Sequence, residues 1–184
     1  WPAPFGIVLV LDRLAAVMLA LTGVLSALVL AHVTGTGWDA RGRHFHALFQ
    51  FQIMGLNGAF LTGDAFNLFV FFEVLLIASY GLVIHGGGAQ RLRAGVQYIA
   101  FNLVASGLFL VALALTYAVT GTLNLADLAV KVAALPAGDA ALIRVAAVLM
   151  MLVFAIKGAL VPLHFWLPGT YALAPGPVAA LFAV

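Results

Sequence analysis

The chain is a series of apolar runs, each about as long as a lipid bilayer is thick, with short segments between them that hold nearly all the charges. Crossing about 30 Å of hydrocarbon takes about 20 mostly apolar residues at about 1.5 Å of rise each. Residues 14–31, 45–63 and 94–120 meet that length without any charge. Residues 65–85 contain one charge, Glu73, and residues 143–163 have one internal charge, Lys157. A sixth run starts near Leu173 and is cut off at Val184. The breaks are Gly35 to Arg43, the Gly63-Asp64 turn, Gly86-Gly87-Gly88 with Arg91 and Arg93, residues 122–139, and Pro168-Gly169.

Only 8% of the 184 residues are charged and 65% are hydrophobic. A soluble domain carries about 25% charged residues, so this chain cannot cover a water-exposed body. That excludes a cytosolic enzyme, a secreted scaffold, a disordered tail and a nucleic-acid binder. The fold expected is all-α, a polytopic bundle of transmembrane helices. Zero Cys excludes disulfides, thiolate metal sites and thiol nucleophiles. The net charge of +2 is too small to imply an acidic partner. A chain that begins at Trp1 and ends inside an apolar run is expected to be part of a longer protein.

The segment between the fourth and fifth runs has a different pattern. Leu125, Leu128, Val132 and Leu135 recur on one helical face, with Asp127, Lys131 and Asp139 as the polar remainder. This predicts a short helix over about 124–135 lying along the membrane surface, started by Asn124 and stopped by Pro136. Arg41, Arg43, Arg91 and Arg93 fall on one side of the membrane, which the positive-inside rule places in the cytoplasm. The Gly63-Asp64 turn and the surface helix are then outside.

Two charges sit deep in apolar runs, and they are the chemical signal. Glu73 lies in NLFVFFEVLLIASY and Lys157 in VFAIKGALVP. A charge at the centre of a membrane helix costs about 2.5–3.5 kcal/mol on insertion scales. Placing the two near each other, or near water inside the bundle, offsets that cost. Such a pair reads either as a proton relay or as a static ion pair that locks helix packing.

Gly158 and Pro162 follow Lys157. Proline removes a backbone hydrogen bond and crowds the preceding turn, so the helix is expected to kink or open there. If the helix ran on, His164 would lie seven residues from Lys157 on the same face. It reads as a shuttle group or as an interfacial residue beside Trp166. Tyr98, Asn102 and Ser106 share a face of the fourth run, Tyr80 shares the face of Glu73, and Gln50 and Asn57 share a face of the second. These are positions for holding water or for packing between helices. Asp64 reads as the N-cap of the third run, with Asn67 in its first turn. No metal site is expected, since no carboxylate lies at ligand spacing from His44 or His46. The triple glycine lacks the Lys and Ser/Thr of a phosphate loop, and no Ser-His-Asp set occurs.

Three blocks resemble one family. GDAFNLFVFFEVLLIASY over 63–80, KGALVPLHFWLP over 157–168 and APGPVAALF over 174–182 are similar to the proton-translocating antiporter-like membrane subunits. That family is shared by Mrp-type multisubunit cation/proton antiporters and respiratory complex I. Gly169-Thr170-Tyr171 after Trp-Leu-Pro, Phe71-Phe72-Glu73-Val74 and the Gly- and Arg-rich loop resemble the D-type branch of the Mrp antiporters, whereas His164 follows the complex I pattern. The resemblance implies that Glu73 is the family's intramembrane glutamate and Lys157 the lysine it pairs with. It implies a broken helix at Gly158 to Pro162, and the reading of the residues themselves adds His164, Tyr80 and Asn102 as candidate relay positions. It also implies about fourteen helices in the whole subunit, with inverted repeats of about five helices each. The expected function is exchange of protons for sodium or another monovalent cation, by a transporter subunit rather than an enzyme. Its expected setting is a multi-pass hetero-oligomer in the cell membrane, without a cofactor. A proton-pumping subunit of complex I or of a membrane-bound hydrogenase, and a non-transporting scaffold, are the alternatives.

Overall fold

A chain with this composition satisfies its backbone polar groups internally, and a helix does so within each segment. The computed structural model describes residues 5–136 and 140–183. Trp1, Asp139 and Val184 lie outside the described residues. The helices are α1 (Arg13–Thr36), α2 (Phe45–Leu61), α3 (Ala65–Val83), α4 (Ala89–Thr120), α5 (Leu125–Ala133), α6 (Ala140–Lys157), α7 (Trp166–Leu173) and α8 (Gly176–Phe182). A short 3-10 turn, Asp39–Arg41, lies between α1 and α2. Among the described residues α1, α3, α4 and α6 are long and apolar enough to cross a membrane. At 32 residues α4 runs about 48 Å, so it tilts or projects beyond the hydrocarbon.

Local chemistry sets the ends. Asp12 caps α1 by accepting from the Ala15 amide at 2.7 Å. Asp64 caps α3 through the Asn67 amide at 2.8 Å. Asn124 caps α5 through the amides of Ala126 and Asp127, both at 3.1 Å. Gly37 and Gly121 stop α1 and α4 with φ of 68° and 66°, a left-handed conformation that glycine adopts without a Cβ penalty.

The interior is narrow because α2 and α3 approach closely. A Cβ on Gly55 would lie 2.6 Å from that of Leu75 and 2.8 Å from its backbone nitrogen. Buried Phe109, Leu113, Val153 and Ala65 join α3, α4 and α6, while Leu75, Leu76, Tyr98 and Trp166 join α3, α4 and α7. Val17, Leu21, Val24 and Leu28 of α1, and Leu142, Val145 and Val148 of α6, point outward, as an apolar solvent permits.

Polar groups close the two ends of the bundle. At one end Arg91 donates to the carbonyls of His85 and Leu173 at 2.7 and 2.8 Å, the His85 ring bonds the Trp38 carbonyl at 2.9 Å, and Arg41 lies 4.0 Å over the Trp38 ring. At the other end the α2–α3 turn is bonded to the α4–α5 turn: Ala65 N donates to Leu123 O at 2.8 Å, and Leu125 N to Gly63 O at 2.9 Å. The short amphipathic helix α5 lies beside this clamp. Its Lys131–Asp127 ion pair spans 3.0 Å, and the bond to Lys131 holds the partly exposed Asp127 carboxyl below its usual range.

Three sequence expectations need correction. The fifth run opens at Gly158 to Pro162 as expected, so its helix ends at Lys157 and does not reach residue 163. Pro162 has no N–H to give the carbonyl four residues back, and its ring crowds that carbonyl, which belongs to Gly158. Pro168 does not break the chain, because it sits in the first turn of α7, where its missing N–H has no partner to lose. The last run is two short helices, α7 and α8, parted at Ala174-Pro175, rather than one helix from Leu173.

Candidate functional site

α3 carries Glu73 inward. Counting from the Asp64 cap at about 1.5 Å per residue, the carboxylate lies about 14 Å along the helix. It is half-buried and accepts a hydrogen bond from the Ser106 hydroxyl of α4. Ser106 shares its helical face with Asn102 and Tyr98, all three buried. Tyr98 meets Ser79 of α3 through a 2.9 Å hydroxyl contact, and Asn102 donates to the Tyr98 carbonyl at 2.9 Å.

Lys157 is the last residue of α6, where the partial negative charge of the helix end favours a cation. The helix unwinds immediately after it. Leu160 N reaches back to Ala155 O at 2.9 Å, and Ala159 takes a φ of 50°, a left-handed value that costs energy in a residue with a Cβ. Trp166, the first residue of α7, donates its indole N–H to the Ile156 carbonyl at 2.9 Å. One carbonyl freed at the end of α6 is thereby satisfied across the break. The Lys157 ammonium is buried without a hydrogen-bond partner in the protein, and lies 5.0 Å over the centre of the Phe72 ring.

Lys157 lines a cavity of about 240 Å³ between α2, α3, α4, α7 and α8. Its polar lining comes from Gln52, Tyr98, Asn102 and Lys157, and its apolar walls include Phe72 and Trp166. The Gln52 side-chain oxygen is buried and also lacks a hydrogen-bond partner. A residue with an unpartnered donor and one with an unpartnered acceptor thus line one partly open space of sufficient size for several waters.

Glu73 and Lys157 are not in contact. Among the described residues the ion pairs within 4.0 Å are His46–Asp39 and Lys131–Asp127. Phe72 and Glu73 are adjacent on α3 and leave the helix about 100° apart, so the lysine meets the ring while the carboxylate turns to Ser106. Asn102 lines the cavity. Tyr80 packs edge-on against Tyr98, with ring centroids 5.5 Å apart. His164 lies in the unwound segment stacked on Phe165 at 5.3 Å, so the helical alignment with Lys157 that a continuous α6 would give does not exist. Gly158 and Pro162 both lie in the break.

The sequence profile of the NADH:quinone oxidoreductase/Mrp antiporter transmembrane family matches residues 62–184. The chain belongs to this family. It is 55% identical over its full length to the probable K(+)/H(+) antiporter D subunit of Rhizobium meliloti, of which it covers 34%. It is 47% identical over 99% of its length to the Na(+)/H(+) antiporter D subunit of Bacillus subtilis, of which it covers 37%. The chain therefore spans about a third of these curated relatives. Over its whole length it superposes on a chain in the Mrp complex of Dietzia sp. with a TM-score of 0.86 at 38% identity, covering 34% of that chain. It also superposes on a chain of the membrane-bound sulfane sulfur reductase, an archaeal respiratory membrane complex, with a TM-score of 0.89 at 32% identity, covering 37% of that chain.

Within this family fold, three residues at the site escaped the sequence reading. Gln52 faces the cavity, whereas Gln50, singled out beside Asn57, is exposed. Phe72 entered the reading only as part of a family motif and Trp166 as a motif and interface residue, yet one seats the ammonium and the other bridges the break. The signal for Gln52 was present as an amide in an otherwise apolar run, but which side of that run faces inward was not.

Proposed function

We propose that this chain is the proton-handling part of a D-type subunit in a multisubunit monovalent cation/proton antiporter of the cell membrane. Lys157 and Glu73 are its titrating groups. The observation that carries the proposal is the buried Lys157 ammonium, free of any protein acceptor, at the end of a broken helix beside a polar cavity. A lysine so placed has no fixed partner to lock its proton, and it can exchange that proton with water in the cavity. Glu73, held by Ser106 on the other side of Phe72, supplies the second protonatable site. Movement of the ammonium off the Phe72 ring toward the carboxylate would couple the two. Asn102 lines the space between helices, and Tyr80 and His164 are further candidate relay positions. The exchanged cation is sodium or potassium, the two ions in the names of its relatives. The partners are the other subunits of the complex.

The test is cation-driven proton flux in vesicles holding the full complex, with Glu73→Ala and Lys157→Ala. Normal assembly with flux lost is the expected result. Normal flux in either assembled variant would remove that residue from the route, and lost assembly with normal flux per complex would favour a scaffold. A second reading, a redox-driven proton-pumping subunit, is favoured by the match to the sulfane sulfur reductase chain. Co-purifying flavin and iron–sulfur subunits would select it; small antiporter subunits would select the first.

A further inference from the structure

We infer that Gln52 of α2 is a positioning residue for Lys157, acting through water held in the cavity between them. The inference rests on the proton-handling role proposed for Lys157. Gln52 is 3% exposed, and its side-chain oxygen has no hydrogen-bond partner in the protein. The Lys157 ammonium is buried and equally unpartnered. Both line the same cavity of about 240 Å³. A buried amide oxygen and a buried ammonium each carry a desolvation penalty when left unsatisfied. They have complementary chemistry, since the amide oxygen only accepts and the ammonium only donates. Water that accepts from Lys157 and donates toward Gln52 satisfies both, and a cavity with polar groups on several walls holds such water.

The geometry also gives the water a direction. Phe72 occupies one side of the ammonium, 5.0 Å from the ring centre. Gln52, Asn102 and Tyr98 line the same cavity as Lys157. Asn102 already donates its amide N–H to the Tyr98 carbonyl, and Tyr98 meets Ser79. Gln52 is therefore the member of this lining whose acceptor is buried and free. It fixes the orientation of the water that takes a proton from Lys157 or returns one, without itself being protonated.

The experiment uses the full complex in vesicles, comparing wild type, Gln52→Leu, Gln52→Glu and Lys157→Ala for cation-driven proton flux across pH. Leucine matches glutamine in size and removes the acceptor. Assembled Gln52→Leu is expected to lose about ten- to hundredfold in maximal flux, with the pH of half-maximal flux displaced and the apparent cation affinity unchanged. Gln52→Glu keeps an acceptor at the same reach and is expected to restore most of the flux at a displaced pH optimum. Wild-type flux and pH profile in Gln52→Leu, with Lys157→Ala inactive, would overturn the inference and leave the proposed function standing. Unchanged flux in Lys157→Ala would instead overturn the proposed function. A density map of the complex that resolves water supplies an independent readout. Ordered water linking Gln52 to Lys157 in wild type and absent from Gln52→Leu is the expected result, and a cavity without it in wild type would overturn the inference whatever the flux.

Discussion

The two polar regions inside this apolar bundle treat hydrogen bonding in opposite ways. At the clamp between the α2–α3 and α4–α5 turns, the buried groups have partners. Asp64 accepts from Asn67 N, Asn67 donates to the Thr62 hydroxyl, Thr120 donates to two carbonyls, and Asn124 accepts from two amides. In the cavity at the broken helix, Gln52 and Lys157 are buried with polar atoms unpaired by protein. Desolvation is costly in both places, so the contrast is informative. A satisfied polar cluster fixes geometry, whereas groups left for water to satisfy keep their protons exchangeable.

Mutations that swap these roles would break the comparison. The largest effect is expected from Lys157→Ala, which should abolish proton flux in complexes that assemble normally, measured in vesicles. An active, poorly assembled variant would make the cavity as structural as the clamp. Next is Ser106→Ala, which takes from the Glu73 carboxylate its side-chain donor. The loss of a hydrogen bond to a charged group, about 1.5–3 kcal/mol, should appear as a displaced pH profile of flux without loss of assembled complex. Asp64→Ala should do the reverse. Losing the α3 cap is expected to cost about 1 kcal/mol, seen as a lower melting temperature of the complex, with flux per complex unchanged.

The smallest effect belongs to the surface helix. The Asp127 carboxyl titrates below its usual value beside Lys131. Its contribution to stability is therefore present above the ordinary carboxylate range and fades as pH falls through the lowered value. Lys131→Ala should raise the Asp127 titration midpoint by NMR and leave both flux and melting nearly unchanged, because the pair is partly open to solvent at the surface.

How much of this was legible in the sequence follows the same division. The caps Asp64 and Asn124 could be read, since a short polar residue before an apolar run has a local reason to be there. The α4 face of Tyr98, Asn102 and Ser106 could be read from its spacing, and it is the face that meets the cavity and Glu73. Gln52 could not be. In a soluble helix the polar side marks the outside, but α2 is apolar nearly all round, so periodicity does not say which side faces its neighbours. The break after α6 could be read from Gly158 and Pro162, but not that the helix would stop as early as Lys157. Pro162 is visible, but its effect falls on the residues before it, where Gly158 and the left-handed Ala159 turn the chain away. Glu73 and Lys157 were readable as the costly charges. That an aromatic ring seats one of them was not, because adjacent positions on one helix diverge by about 100°.

The indole of Trp166 reaches ten residues back to the Ile156 carbonyl. This brace ties the first residue of α7 to the last turn of α6 across the unwound residues 158–165. On the proposed function, relocating the charge would then draw on rotation about the lysine's own bonds beside this fixed point. On that reading the break works less like a hinge than like a pinned joint beside one movable arm.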